Sequence, residues 1–325
     1  QVFDEDTWRM VFNGVIKPLF DDIHHQLLPS DKQDSDAANS RSDSWAGASQ
    51  SMGPATCLEA LTQLNRLFEA HLDSLAFLLE DVLRLIQNCI QHEYEALARI
   101  GVEGLKQLLN GTGKKLKPES WQKVTKSILL LFRDSMPTKL MHVDIKGAPS
   151  TLPFSKDDVV TQCVVQLLLI DMLQDAVANH YEHIPPQGIM TLLDALQQSF
   201  EFAQEFNRQI DLRQALKRLG FMKEMKQLPG LLKQERESLS CSLKLLFQVQ
   251  ADPRTQGTEL SSQAVERLLR LCKSVLLNYV GKERLLNERA ESPPPADLQS
   301  DGLRDREAAT LEIEREVQGL VPIIS

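Results

Sequence analysis

Leucine recurs at helical spacing along almost the whole chain, and this pattern limits the possible folds more than any other feature of the sequence. Stretches in which Val, Ile, Thr and Tyr alternate with polar residues, the pattern typical of strands, are almost absent. The 325 residues are 42% hydrophobic, which is enough for a large core, and the length corresponds to about two ordinary domains. The sequence therefore predicts an all-α protein.

Residues 229–250, PGLLKQERESLSCSLKLLFQVQ, are predicted to form a helix with apolar residues on two opposed sides. A surface helix buries one stripe, so a helix with two apolar sides is expected to be sandwiched between neighbours. A proline disfavours helical geometry in the residue before it, and Pro253 is therefore expected to end the helix. One side comprises Leu232, Leu239, Leu243, Leu246 and Phe247, the other Leu231, Cys241, Leu245 and Val249, and the polar strip Lys233, Glu237, Ser240 and Lys244.

Other helices are predicted in every part of the chain. Residues 4–28 place Trp8, Val11, Phe12, Val15, Leu19 and Ile23 on one face, with a kink at Pro18. Gly101 and Gly104 lie inside a predicted helix, which indicates close approach of a neighbouring helix because glycine weakens a helix by about 1 kcal/mol relative to alanine. The remaining predictions are two or three helices in 56–110, one from Pro118 to before Pro137, and helices at 157–179, 187–208, 212–219, 261–279 and 303–319.

Composition divides the chain into five segments. Residues 1–28 are interpreted as the end of a preceding helical repeat, and residues 29–55 as a disordered loop because they are rich in Ser, Asp, Ala, Asn and Gly. Helical repeats follow at 56–145 and 157–290, and residues 291–325 form a linker and a charged helix. Short loops between ordinary helices predict an α-solenoid of the HEAT or armadillo kind, with a globular bundle as the alternative. The first residue, Gln1, and the apolar last residues indicate a piece of a longer polypeptide.

Charge and cysteine content exclude several classes of protein. A net charge of −9 and a pI near 5.4 argue against a broad nucleic-acid surface, which would need clustered Lys and Arg. The five cysteines are odd in number and far apart, which argues against a disulfide framework or a zinc module and fits a reducing cytosol. The longest apolar cluster, residues 164–172, is shorter than the roughly 20 residues of a transmembrane helix, so no membrane span is predicted.

Three segments follow one another within residues 187–248: LLDALQQSFEFAQEFN, LRQALKRLGF and LLKQERESLSCSLKLLF. In this order they resemble the C-terminal region of the large brefeldin A-inhibited guanine nucleotide exchange factors for Arf GTPases. Two upstream segments, WRMVFNGVIKPLFDDI and LARIGVEGLKQLL followed by Trp121, resemble that family as well, so the resemblance covers residues 5 to 290. We call the residues of these segments that are typical of the family the structural signature. They are Trp8, Gly101, Trp121, Phe202, Phe206, Asn207, Arg213, Gly220, Phe221, Leu232, Leu239, Cys241, Leu243 and Phe247.

The resemblance implies a regulatory role rather than a catalytic one. In that family a separate domain, N-terminal to this region, carries the glutamate that expels Mg²⁺ and the nucleotide phosphate, and no segment here resembles that loop. The implied partners are Arf-family GTPases or related regulators and the upstream catalytic domain of the same chain. The implied location is cytoplasmic, peripheral on trans-Golgi or endosomal membranes, with a role in vesicle traffic. A HEAT-type scaffold or transport adaptor without a GTPase link is the alternative.

No catalytic, cofactor-binding or metal-binding residue is predicted from the sequence. The run from Gly111 to Lys114 lacks the first glycine and the Ser or Thr of a phosphate-binding loop, so a helix-capping turn is expected there. Nearby Lys114, Lys115 and Lys117 could touch anionic lipid, but a solvated loop is favoured. Two histidine pairs, His24 with His25 and His180 with His183, lack the further ligands that zinc requires.

Three residues of the 187–248 region could be assigned a chemical role, and a packing role is preferred for each. Ser238 and Cys241 have no histidine near them in sequence to act as a base, and Cys241 belongs to an apolar side of its helix. Arg213 is predicted to form a salt bridge between helices, with a partner contact as the alternative. No acid, base, nucleophile and oxyanion set can be assembled from the sequence, so an enzyme is not predicted.

Overall fold

The computed structural model describes residues 4–27, 44–143, 151–222 and 227–291, and within these ranges it contains helices and no strand. The predicted all-α class is confirmed. The α-helices are α1 Glu5–Val11, α2 Lys17–Leu27, α3 Ser44–Ala70, α4 Leu72–Leu75, α5 Leu79–Ile90, α6 Glu95–Thr112, α7 Pro118–Asp134, α8 Lys156–His180, α9 Pro186–Arg208, α10 Ile210–Arg218, α11 Leu232–Ala251 and α12 Glu259–Glu291. A π-helical turn, Phe12–Ile16, joins α1 to α2, and 3₁₀ turns lie at Ala76–Leu78, Thr138–His142 and Tyr181–His183.

The chain divides into two compact units. The first unit consists of Gln1–Ser135 and Val160–Leu192, and the second consists of Met136–Val159 and Leu193–Ser325. Helices α8 and α9 each contribute residues to both units. The signature residues from Phe202 onward therefore belong to the second unit, and Trp8, Gly101 and Trp121 belong to the first.

The first helix of the first unit changes register at Pro18. A proline has no N–H to donate and its ring clashes with the carbonyl one turn earlier, and here the preceding turn widens so that the Lys17 N–H bonds to the Phe12 carbonyl. The extra residue in this turn moves the buried face, so that Phe12 and Phe20 are buried. The prediction that Val15 and Leu19 face the core was therefore wrong, because both are exposed.

Part of the predicted disordered loop at 29–55 is helical. Helix α3 already begins at Ser44 and runs through Pro54, even though Gly47, Gly53 and Pro54 have low helix propensity. The loop prediction was wrong for residues 44–55. Its remaining part, residues 29–43, lies outside the described residues, as do the first half of the connector at 146–155, the linker from Ser292 and the predicted helix at 303–319.

Glycines let three helices of the first unit approach one another closely, as the sequence predicted. A Cβ atom placed on Gly101 in α6 would come within 2.7 Å of Ile90 Cγ1 and 2.8 Å of the Ile90 backbone nitrogen, at the end of α5. A Cβ atom on Gly104 would come within 2.9 Å of Leu61 Cδ1 in α3. Asn65 of α3 donates a hydrogen bond to the Gly104 carbonyl at 2.8 Å, which fixes the height of α3 against α6.

Helix α8 is a core helix with an apolar composition. Among the described residues, Lys156–His183 is long and apolar enough to cross a membrane, with a mean hydropathy of 1.4 over its most apolar window and 50% of that window buried inside the protein. The prediction of no membrane span was based on the shorter apolar cluster at 164–172, which lies within this helix. In the middle of α8, Gln166 is buried and donates hydrogen bonds to the Phe132 carbonyl at 2.7 Å and to Ser135 Oγ at 2.9 Å. These polar contacts are those of a helix packed against protein.

Helix α11 lies within the second unit and has one broad buried face rather than two apolar sides. Leu239, Cys241, Leu245, Leu246 and Val249 are buried as predicted, but Phe247 is 59% exposed and Leu232 and Leu243 are half-buried. The two-sided prediction was wrong because the centre of the buried face is polar. Four residues occupy this centre and separate the apolar positions on either side of it: Gln234, Glu235, Ser238 and Ser242.

Candidate functional site

Arg213 of α10 is fully buried at the centre of a polar cluster in the second unit. Its Nε donates a hydrogen bond to the Pro229 carbonyl at 2.6 Å, and its Nη1 donates to the Asn207 carbonyl at 2.8 Å. The sequence predicted a salt bridge for this residue, whereas these hydrogen bonds run to backbone carbonyls. The guanidinium thus holds the end of α9 against the segment that leads into α11.

Asn207 and Glu235 extend this cluster to α11 and α12. Asn207 Nδ2 donates to Glu235 Oε2 at 2.7 Å, while Asn207 Oδ1 accepts from the Leu231 N–H at 2.8 Å. Glu235 Oε1 accepts from Asn278 Nδ2 of α12 at 3.4 Å. The Arg213 cluster, defined as Asn207, Arg213, Pro229, Leu231, Glu235 and Asn278, therefore joins helices α9, α10, α11 and α12. A buried cation and a buried carboxylate in one network reduce the cost of burying either charge.

A second polar contact is made by Gln234, the residue before Glu235 on α11. Gln234 Nε2 donates to Ser199 Oγ at 3.0 Å on α9, and Ser238 Oγ donates to the Gln234 carbonyl at 2.5 Å. All three side chains are buried. Sequence reasoning missed Gln234, Glu235 and Asn278, although polar residues in the middle of an otherwise apolar helical face are a signal for such a network.

Gly220 ends α10 in the left-handed conformation. Its φ of 91° suits glycine, and the Phe221 N–H bonds to the Leu216 carbonyl at 2.9 Å while the Gly220 N–H bonds to the Lys217 carbonyl at 3.0 Å. These two bonds form a Schellman cap. The cap directs the buried Phe221 ring toward Phe154, with ring centroids 6.0 Å apart in an edge-to-face arrangement.

The remaining signature residues lie in both units. Phe206 is buried and Phe202 is half-buried on α9. In the first unit Trp8 is half-buried beside His71, with ring centroids 6.3 Å apart, and Trp121 is fully buried. The indole N–H of Trp121 donates to the Gly113 carbonyl at 3.2 Å and thereby ties α7 to the turn after α6. Of the signature residues, the structure brings Asn207 of α9 and Arg213 of α10 together in the Arg213 cluster.

The candidate nucleophiles of α11 are held in packing roles. Ser238 is fully buried and its hydroxyl donates to backbone carbonyls of its own helix, at Gln234 and Glu235. Burial raises the pKa of the Cys241 thiol to about 12, so the thiol stays protonated near neutral pH. Neither side chain has the environment of an activated nucleophile.

The Gly111 to Lys114 run is a helix end, not a phosphate cradle. Helix α6 continues to Thr112, two residues beyond the predicted cap, and Gly113 is its C-cap. A phosphate loop presents free backbone N–H groups, but the Gly113 N–H bonds to the Leu109 carbonyl at 2.7 Å and the Lys115 N–H bonds to the Thr112 carbonyl at 2.8 Å. Lys114, Lys115 and Lys117 are exposed around this turn.

His180 lies beneath that same turn as a neutral packing residue. Its ring is buried with its centroid 6.1 Å from that of Trp121, and a Cβ atom on Gly113 would come within 2.8 Å of it. Burial lowers the pKa of His180, and the charges of His183 and Lys114 lower it further. His183 itself is exposed, and the side chains of His24 and His25 lie outside the described part of the protein. Within that part, no group of three or more His, Cys, Asp and Glu side chains is arranged to hold a metal ion.

Comparison with known proteins agrees with this signature. Residues 164–325 match the family model described as the BIG2 C-terminal domain. This chain belongs to the BIG family, as part of its C-terminal region. The BIG-family match contains all of α9 to α12, and hence every residue of the Arg213 cluster.

Relatives of this BIG-family chain are named as exchange factors. The ADP-ribosylation factor guanine nucleotide-exchange factor sec72 of Schizosaccharomyces pombe is 27% identical over 85% of this chain. The brefeldin A-inhibited guanine nucleotide-exchange protein 2 of Arabidopsis thaliana is 25% identical over 86% of it, and protein 1 of Homo sapiens is 26% identical over 69%. The chain spans 17% of the length of each of these three relatives.

Proposed function

We propose that this chain is a non-catalytic regulatory and interaction region of a large Arf guanine nucleotide exchange factor. In this proposal it acts in Golgi and endosomal vesicle traffic, by controlling the recruitment or the activity of an upstream catalytic domain. Its partners are Arf-family GTPases or related regulators and that catalytic domain, and its location is the cytoplasmic surface of trans-Golgi or endosomal membranes.

The observation that carries the proposal is the Arg213 cluster, in which the signature residues Asn207 and Arg213 are buried and hydrogen-bonded to Glu235 of α11 and to the segment that leads into α11. The three ordered segments supply α9, α10 and α11, and their polar residues bond to one another and to backbone groups. The thiol and hydroxyl groups among them are buried and engaged in packing. A region whose most characteristic residues serve to hold helices together supports a scaffold role, with binding carried by its surface.

The proposal includes a HEAT-like or armadillo-like α-solenoid as the arrangement of the helices. Helix pairs joined by short connections support it, such as α5 with α6 in the first unit and α11 with α12 in the second. Solenoids offer long surfaces for macromolecular partners. Small-angle X-ray scattering of the 325-residue chain should give an elongated particle, and a radius of gyration near the value of about 20 Å for a compact chain of this length would contradict the solenoid.

The function is tested by nucleotide exchange on liposomes. A full-length exchange factor that contains this chain is compared, at matched concentration, with the same protein lacking residues 1–325, and membrane flotation of both is measured. A changed exchange rate or changed flotation is expected, since a regulatory region alters recruitment or access to the catalytic domain. Equal rates and equal flotation would exclude the regulatory role.

An exposed aromatic residue of the signature permits a finer test. Phe247 of α11 is 59% exposed, so the substitution Phe247→Ala removes a large apolar contact surface without opening the core. If Phe247 belongs to a partner surface, the full-length Phe247→Ala protein should lose part of the regulatory effect at unchanged thermal stability. Gln248→Ala, at the neighbouring exposed position, is the matched control and should have no effect.

A further inference from the structure

Helix α12 presents an apolar stripe to the outside of the second unit. Val265, Leu269, Cys272, Leu276 and Val280 recur at spacings of three and four residues, which places them on one side of the helix. The four aliphatic members are between 41% and 65% exposed, and Cys272 is exposed as well. The opposite side of α12 packs into the unit through the buried residues Ala264, Leu271 and Val275. We call the exposed set the α12 stripe.

We propose that residues 303–321 of the same chain dock on the α12 stripe as an antiparallel amphipathic helix. The sequence of this segment repeats apolar residues at the spacing that such a contact requires, at Ala309, Ile313, Val317 and Leu320. The positions between them are mostly charged, so an isolated helix of this kind would have one apolar face to cover. An intramolecular partner costs little association entropy, because the two segments are already joined.

The length of the chain fits this contact. The α12 stripe runs over 16 residues from Val265 to Val280, which is about 22 Å of helix, and residues 303–321 would form a helix of about 27 Å. Residues 292–302 connect the two segments and can span about 36 Å when extended. The return from Glu291 to the level of Arg284 needs only about 10 Å of this reach.

The charges of the two segments are complementary. From Val265 to Arg284, α12 carries two acidic and five basic residues, of which Lys282 is buried and Arg267 pairs with Asp194, whereas residues 303–319 carry five acidic and three basic residues. Lys273 is exposed beside the stripe, and Arg270 pairs there with Glu266 at 2.9 Å. If Leu303 lies beside Arg284 in an antiparallel pair, equal rise per residue places Glu314 level with Lys273. The acidic half of the segment then faces the basic half of the stripe.

Cys272 lies in the middle of the stripe, so the reactivity of its thiol measures whether the stripe is covered or exposed to solvent. The other four cysteines are buried or half-buried, so a thiol reagent should react first with Cys272, and Cys272→Ser assigns the signal. The rate of maleimide labelling is measured on the full 325-residue chain and on the double variant Ile313→Asp with Val317→Asp. We expect the double variant to react about tenfold faster or more, since a docked-state preference of about 1.4 kcal/mol corresponds to tenfold protection.

The control variant is Ala308→Asp, which adds one negative charge, against two in the double variant, on roughly the opposite side of the segment and should leave the labelling rate unchanged. A second variant, Ile313→Cys, should form an intramolecular cross-link to Cys272 with a short bis-maleimide, whereas Ala308→Cys should not. Circular dichroism melts of all variants verify that the second unit remains folded.

Three results would overturn the proposal. The first is equal labelling of Cys272 in the unaltered chain and in the double variant. The second is protection that rises with protein concentration together with a dimeric mass by light scattering, which would assign the stripe to a second copy. The third is protection that appears only on addition of anionic phosphatidylserine vesicles, which would assign it to a lipid surface.

Discussion

Arg213 shows how a buried charge can specify a helical arrangement. Its side chain bonds to the carbonyl of Asn207 in the last turn of α9 and to the carbonyl of Pro229 before α11, and the last carbonyls of a helix have no partner within it. A hydrophobic residue of equal size would fill the volume but leave these carbonyls without the donors they now have. Such a residue would therefore not substitute for arginine at this position.

We predict that Arg213→Met lowers the free energy of unfolding by about 3 kcal/mol, because it removes two charge-assisted hydrogen bonds and leaves the Glu235 network without its cation. Urea unfolding followed by circular dichroism measures the change. Lys244→Ala is the control, since Lys244 is exposed on α11 and its loss should change stability by less than about 0.5 kcal/mol. Equal effects of the two substitutions would contradict the structural role of Arg213.

Two glycines inside helices should respond to alanine in opposite directions. Gly281→Ala in α12 meets no atom within 4 Å, so it should stabilise the protein by up to about 1 kcal/mol through helix propensity. Gly101→Ala in α6 would collide with the backbone nitrogen of Ile90, and the forced separation of α5 and α6 should cost about 1–3 kcal/mol despite the same gain. Paired thermal melts give the sign of each change.

His180 should make the stability sensitive to mild acid. Its pKa is lowered in the folded protein, so the unfolded chain binds the proton more readily, and the contribution of neutral His180 to stability is present above about pH 6.5 and lost as the pH falls. We expect the unfolding free energy to decrease from pH 7.5 to 5.5, and His180→Phe to reduce that decrease. His142→Phe, at an exposed position, should not reduce it.

At the scale of elements, the π-helical turn before Pro18 determines which residues of α2 reach the core. Phe20→Ala should cost about 3–5 kcal/mol, as for other buried aromatic residues, whereas Leu19→Ala should cost less than about 1 kcal/mol. Denaturant melts of the two variants measure the register directly. A larger loss for Leu19→Ala would mean that the helix keeps a regular α-helical register through Gly14.

Helix positions were largely predictable from the sequence, whereas buried faces were less so. The starts and ends of α7, α9 and α10 agree with prediction within two residues, since prolines and caps mark them locally. The buried face of α11 was not predictable from hydrophobicity, because Glu235 and Gln234 become core residues only through partners on other helices. Likewise, the extra residue in the π-helical turn changed which face of α2 is buried, and the pattern of hydrophobic residues does not indicate that extra residue.

At the scale of the whole molecule, the proposed regulatory role assigns the function of this chain to its surfaces. We predict that the isolated 325-residue chain does not accelerate release of labelled GDP from an Arf GTPase, with or without liposomes. Fluorescent nucleotide exchange measures this, with a full-length exchange factor as the positive control. Fast release by the isolated chain would overturn the non-catalytic proposal.

The all-α class and the family signature were both predictable from the sequence, because leucine spacing and three ordered segments are properties of contiguous residues. The Arg213 cluster was predictable only in part. Arg213 and Asn207 belong to the signature, but Asn278 comes from α12, 43 residues after Glu235 in the chain, and joins only when the helices pack. The two-unit division was not predictable either, because it depends on contacts between residues that are far apart in the sequence. Its boundaries fall inside predicted helices.

This division has a practical consequence for mapping the protein by truncation. The chain passes from one unit to the other after Ser135, after Val159 and after Leu192, so each unit is built from two separated stretches. No single cut can release either unit whole, and a cut at residue 164, where the match to the family model starts, would sever α8 after its first two turns. A truncated protein that begins there would lose binding because its first helix is incomplete and its unit does not fold. That loss would then be wrongly attributed to a binding site in the deleted residues.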